Sequence, residues 1–194
     1  MSVITDQLTI VLMVTIKWIC GYYLDMPLTP YHLGVGVFLG VALLRWLDFP
    51  TLCIATMIVD IRAIAIYFGL FTGNLHGPLH TVLGGTLLAG LLAAIMFKTK
   101  PLWNRLSALF GLAQKRSLYR IVTASLIGIY SHLILDAIMH ADMQPLYPLT
   151  GNPLLGVLHL SDVYIICVAG FFFGGIFYLI HLYRWKTGRF HMSY

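Results

Sequence analysis

Apolar residues fall along the chain in runs of about twenty, separated by short stretches that collect prolines, glycines and charges. The runs lie at about 8–24, 32–47, 50–71, 79–97, 118–139 and 162–183. A helix needs about 20 apolar residues to cross the roughly 30 Å hydrocarbon layer. A membrane β-barrel would instead show alternating segments of about ten residues, and that alternation is missing. The pattern therefore predicts an all-α fold: a multi-pass transmembrane helical bundle of about six spans, with residues 1–194 forming a single integral membrane domain.

The separators sharpen this outline. Asp25 and Met26-Pro-Leu-Thr-Pro30 break the first run from the second, because a residue preceding proline is pushed out of helical geometry. Residues 73–80 read as a turn, with Pro78 placed where a helix can begin. The third run is expected to stay helical through Asp60 and Arg62, which point to nearly opposite sides and so need separate partners. Between Lys98 and Arg120 the apolar positions Leu102, Trp103, Leu106, Leu109, Phe110 and Ala113 have helical spacing among basic residues. That predicts an amphipathic helix near 101–114, lying in the membrane interface. Residues 141–161 are too polar and proline-broken to span. Gly36-x-x-x-Gly40 and Gly170-x-x-x-Gly174 read as close helix packing.

Composition supports the membrane reading. The chain is 59% hydrophobic and 10% charged, where a soluble domain would be about 25% charged. Cys20, Cys53 and Cys167 sit singly in apolar runs, so they indicate neither a disulfide framework nor a thiolate metal site. The net charge of +5 comes from basic residues beside the ends of the runs. With six spans, ten of the twelve Lys and Arg residues fall on one side, and Lys17 and Arg62 fall inside spans. The positive-inside rule then puts the basic loops and C-terminus in the cytoplasm. Such an arrangement calls for the lipid bilayer as partner rather than nucleic acid; it leaves oligomeric state open.

The opposite side receives His32, His76, His80, His140, Asp142 and His159. Glutamate is absent, so every side-chain carboxylate is an aspartate. His132, Asp136 and His140 recur every four residues and share one helical stripe. His76 and His80, four apart around a helix start, reach the same level, and Asp60 lies deeper. Ionisable groups inside a membrane are expensive, and their presence marks a site. Neutral imidazoles with carboxylates suit a divalent metal such as zinc, iron or manganese. The candidate ligands are His32, His76, His80, His132, Asp136 and His140, with Asp60, Asp136 and His132 as candidate catalytic groups. The lone histidines His159, His181 and His191 read as packing or headgroup residues.

Met26-Pro-Leu-Thr-Pro-Tyr-His-Leu-Gly-Val-Gly, Ile58-Val-Asp-Ile, His76-Gly-Pro-Leu-His-Thr81, Tyr130-Ser-His-Leu-Ile-Leu-Asp136 and Tyr147-Pro-Leu-Thr-Gly-Asn-Pro-Leu-Leu-Gly156 occur in this order. Together they resemble the membrane-bound metal-dependent hydrolases of bacteria and archaea described as LexA-regulated inner-membrane hydrolases, over residues 26–184. The resemblance implies a metal held by His32, Asp60, His76, His80, His132 and Asp136. Arg62 stands where such proteins often carry a second carboxylate. They also commonly begin at the residue matching Met26, which would make residues 1–25 either an extra helix or a mis-assigned start, with five spans if the chain starts at Met26.

The expectation is a metal-dependent hydrolase with a zinc-like divalent cofactor, acting at the outer membrane face on an ester or phosphoester of a lipid-linked or amphiphilic substrate. The alternatives are a proton-coupled transporter or channel built on Asp60, Arg62, His132 and Asp136, and a haem or di-iron redox protein using the same histidines.

Overall fold

The computed structural model describes residues 29–70 and 72–188. Every regular element among them is helical: α1 (Thr29–Ala42), α2 (Phe49–Ile58), α3 (Ile61–Tyr67), a 3-10 turn (Pro78–His80), α4 (Val82–Lys98), α5 (Lys100–Leu109), α6 (Leu118–Met139) and α7 (Leu160–Lys186). By length and composition α6 and α7 can each cross a membrane, and the pair α4 and α5, bent by 76°, counts as a third if taken as one broken span. The expected first run with Lys17 and Cys20, the alternative start at Met26, and Arg189 and His191 lie outside the described residues.

α6 is the central element, packed between α2 and α4, while α1 bridges α2 and α7. Small residues permit these approaches. A Cβ on Gly170 of α7 would sit 2.6 Å from the carbonyl carbon and oxygen of Gly34 on α1. Gly36 and Gly40 face the other way: Cβ atoms there would sit 2.7 Å from the Thr56 hydroxyl and the Phe49 ring of α2. The expected close packing at both glycine pairs is therefore realised, with α1 dividing its small residues between two neighbours.

The outward surface is apolar. Along α4, Leu83, Leu87, Leu91 and Ile95 form a stripe four residues apart, each at least half exposed, while Gly85, Ala89, Leu92, Ala93 and Met96 are buried. Ile165, Val168, Phe172, Phe173 and Leu179 of α7 are likewise more than half exposed. Contiguous exposed apolar surface of this kind marks a membrane or partner surface, and on helices of membrane-spanning length it identifies a membrane protein.

Two expectations need correction. The third run is not one helix, because it breaks between α2 and α3. Asp60 has φ −78° and ψ 3°, and its N–H donates to the Met57 carbonyl three residues back at 3.2 Å. This local tightening from α to 3-10 bonding turns the chain at the acidic residue. The amphipathic helix is also shorter than residues 101–114, since Gly111 takes φ +68° soon after Leu109 and ends it.

At the basic end, a set of polar contacts fixes the α1–α2 corner. Gln114 donates to the Leu44 and Leu47 carbonyls at 2.5 and 2.9 Å and accepts from the Phe49 N–H at 2.9 Å. Asp48 caps α2 through the Thr51 N–H at 3.1 Å and pairs with Arg116 at 2.6 Å. At the other end of α6, residues 140–159 fold back over the helix terminus. Asn152 donates to the Ala137 carbonyl at 2.7 Å, Gly156 N–H to Ile138 at 3.0 Å, and Val82 N–H to Pro145 at 2.8 Å. That loop roofs the histidine-rich region.

Candidate metal centre

The break before α3, the 3-10 turn before α4 and the last two turns of α6 deliver four ionisable side chains to one point. Asp60, His80, His132 and Asp136 are each at most 1% exposed, and one potential ligand atom from each lies within 4.8 Å of all the others. His80 Nε2 is 3.0 Å from Asp60 Oδ1 and 3.4 Å from Asp136 Oδ2. His132 Nε2 is 3.3 Å from Asp60 Oδ1 and 2.9 Å from Asp136 Oδ2. Four-residue spacing on α6 sets His132 and Asp136 side by side, and the helix break swings Asp60 beneath them.

The protonation logic is set by one backbone contact. His132 Nδ1 lies 2.9 Å from the Thr56 carbonyl oxygen, which can only accept, so Nδ1 carries the proton and donates it. In a neutral ring Nε2 then holds a lone pair, directed at carboxylate oxygens that also hold lone pairs. Neither His132 Nε2 nor either Asp136 oxygen has an aligned hydrogen-bond partner, close as they are. His80 Nε2 is paired with Asp60 Oδ1 at 3.0 Å, and the two carboxylates, both buried, call for positive charge among the four.

The dimensions match a small metal ion. Zinc bonds to N and O ligands are about 2.0–2.2 Å, so the edges of a tetrahedral site are about 3.4 Å. The four measured N···O separations, 2.9–3.4 Å, fall at or just under that length. The Thr56 contact is the kind of support that fixes a metal-binding imidazole's ring and tautomer. A divalent ion would also balance the two aspartate charges.

The other predicted site residues are distributed around this centre. His32 is buried, lies 3.1 Å from Asp136 Oδ1 and packs against the His132 ring at 4.4 Å between centroids, so it braces the carboxylate oxygen turned away from the four. His76 and His140 are not among the four. The helical stripe that relates His140 to His132 and Asp136 ends at Met139. His140 takes the C-cap position with extended backbone, φ −109° and ψ 118°, and leaves the stripe.

His140 instead lies against His76, their ring centroids 4.2 Å apart. Asp142 completes a second group with them, its oxygens 2.9 and 3.0 Å from His76 Nδ1. Burial and the neighbouring His76 hold the His140 imidazole below its usual pKa, favouring the neutral ring. Edge-to-face contact between His76 and His80, 5.0 Å between centroids, joins the two groups. Asp142 is absent from the predicted ligands, and its position two residues after His140 was the available signal.

Arg62, the cation in place of an expected carboxylate, is outside both groups. Its guanidinium donates to the Asn74 carbonyl and lies over Gly77, so it ties the loop before the 3-10 turn to α3. Of the lone histidines, His181 accepts no such role: its Nε2 donates to the Gly111 carbonyl at 2.8 Å and holds the end of α5 against α7. His159 is the N-cap of α7. No protein-family model, curated protein or solved structure matches the chain.

Proposed function

We propose that this chain is a multi-pass membrane hydrolase in which Asp60, His80, His132 and Asp136 hold a divalent, zinc-like ion. The observation that carries the reading is the convergence of two carboxylates and two imidazoles, with the His132 Nδ1 proton committed to Thr56, on a point where a bound cation relieves the lone-pair opposition. A divalent ion held there supplies Lewis-acid polarisation of an ester or phosphoester oxygen and acidifies a water molecule. Asp60 and Asp136 are the groups able to orient that water or take its proton. His32 keeps the Asp136 carboxylate turned toward the imidazoles.

The broader assignment follows from the charge pattern and from the ordered motifs quoted above. The chain crosses a prokaryotic inner membrane about six times, with its basic loops cytoplasmic and its histidine-rich end outward. There it meets a lipid-linked or amphiphilic ester or phosphoester. The exposed apolar flanks of α4 and α7 support a substrate that approaches from the bilayer.

The same groups could instead pass protons. Against that reading, α6 carries no Asp, Glu, Lys, Arg or His between Arg120 and His132, about 18 Å of helix. A transmembrane relay would need stepping stones in that stretch. The histidine and aspartate groups lie together at one end, which suits local chemistry better than passage.

Elemental analysis of the detergent-purified protein tests the proposal. The natural protein should carry stoichiometric divalent metal, and a His80→Ala, His132→Ala double variant should lose the tightly held ion. Full retention of that ion in the folded double variant would eliminate the four residues as ligands.

A further inference from the structure

The mouth of the histidine-rich region has different chemistry from its floor. His76 comes from the loop before α4, and His140 and Asp142 come from the segment leaving α6. Their potential ligand atoms lie within 4.8 Å of one another. The His76 side chain is 2% exposed, whereas that of Asp142 is 49% exposed. His76 and Asp142 border a cavity of ≈ 480 Å³ lined also by Asn74, Thr81, Gln144 and Tyr147.

An ordinary His–Asp pair accounts for only part of this. It uses His76 Nδ1 and leaves the buried Nε2 without a hydrogen-bond partner. It also gives no reason for a second imidazole, His140, to lie 4.2 Å away and tilted by only 31°.

We propose that His76, His140 and Asp142 form a second divalent-cation site, separate from the inner four and open to the outer cavity. Its donor set is two imidazoles and one carboxylate, which leaves a coordination position for water or for an oxygen of another molecule. Metal sites that do chemistry keep such a position. His76 and Asp142 border the outer cavity, so an ion held there can take an oxyanion or ester oxygen as it enters. That last assignment rests on the hydrolase reading, whereas the existence of the second site does not.

The test is a zinc titration of the full chain in detergent, stripped beforehand with chelator and checked for unchanged helical content. The natural protein should bind two ions per chain, one tightly and one more weakly. Asp142→Asn and His140→Ala should each bind one and retain the tight ion. His80→Ala, His132→Ala should lose the tight ion and keep the weaker one. Saturation of the natural protein at a single ion, or two ions surviving in both outer variants, would overturn the second site. Loss of both ions in either outer variant would also overturn it, by making the two groups one site. The inner assignment fails separately, if the inner double variant keeps the tight ion. Because Asp142 is half exposed, its amide variant decides the matter even where an inner variant folds poorly.

Discussion

Asp48 and Asp136 are both fully buried aspartates touching α6 or its approach, yet they are settled in opposite ways. Asp48 Oδ1 accepts from the Thr51 N–H, the Thr51 hydroxyl and Arg116, so a fixed cation and a helix N-terminus neutralise it. Asp136 has imidazoles on every side, His32 at 3.1 Å, His132 at 2.9 Å and His80 at 3.4 Å, and no aligned hydrogen bond. One carboxylate carries its counter-charge within the chain. The other lies among neutralisable imidazoles, in a group that could take its counter-charge from a metal ion. Burial alone, equal for the two, does not distinguish a structural acid from a functional one; the permanence of the partner's charge does.

The largest effect expected from breaking this contrast is at the structural acid. Asp48→Ala leaves the Arg116 guanidinium buried without its partner, and removing one member of a buried pair costs about 3–5 kcal/mol. Loss of the α2 cap adds about 1 kcal/mol. Denaturation in detergent should register this loss. Metal content of the fraction still folded should be unchanged, because position 136 lies about 27 Å along α6 from its start. Depletion of metal without loss of stability would erase the distinction.

The functional acid should behave in reverse. Asp136→Asn removes a ligand and should weaken zinc binding by at least about 100-fold, equivalent to about 2.8 kcal/mol. The metal-free variant should be no less stable than metal-free natural protein, since one of two neighbouring buried carboxylates has gone. Titration with zinc and denaturation in chelator measure the two quantities separately. If the metal-free variant instead loses about 3–5 kcal/mol, Asp136 is a second Asp48, paired with a protonated imidazole.

Residue spacing conveyed some of this and hid the rest. The helical register shared by His132 and Asp136 is local, and the apolar run at 118–139 has the same bounds as α6. The depth of Asp60 is a different matter. The α2–α3 break occurs at Val59 and Asp60 without a proline or glycine to announce it, and it is the packing of α2 on α6 that turns the acid inward. His76 and His80 look equivalent as a four-residue pair, but the chain between them enters a 3-10 turn. As a result His80 reaches Asp60 and His76 reaches Asp142. A cap likewise removes His140 from a stripe that extrapolation would continue. Helical spacing holds only as far as the helix does, and these site residues sit where helices stop.

The smallest effect concerns how α2 holds the inner site without supplying a ligand side chain. Gly128 of α6 faces α2 so closely that a Cβ there would collide with the Ala55 Cβ and sit 2.9 Å from the Leu52 carbonyl oxygen. Neither is the far end of a flexible side chain, so Gly128→Ala must push α2 and α6 apart, at a cost of about 1–3 kcal/mol. Thr56 follows Ala55, and its carbonyl fixes the His132 ring. Disturbing such a support typically costs 10–100-fold in metal affinity, and a shift of a few tenths of an ångström belongs near about tenfold. Gly90→Ala on α4, where a Cβ meets nothing within 4 Å, supplies the control and should leave zinc affinity unchanged. Equal zinc affinity for both variants would mean that the Thr56 contact does not set His132. Weaker binding in Gly128→Ala alone makes the α2–α6 contact part of the site, which the Asp48 corner at the other end of the helices is not.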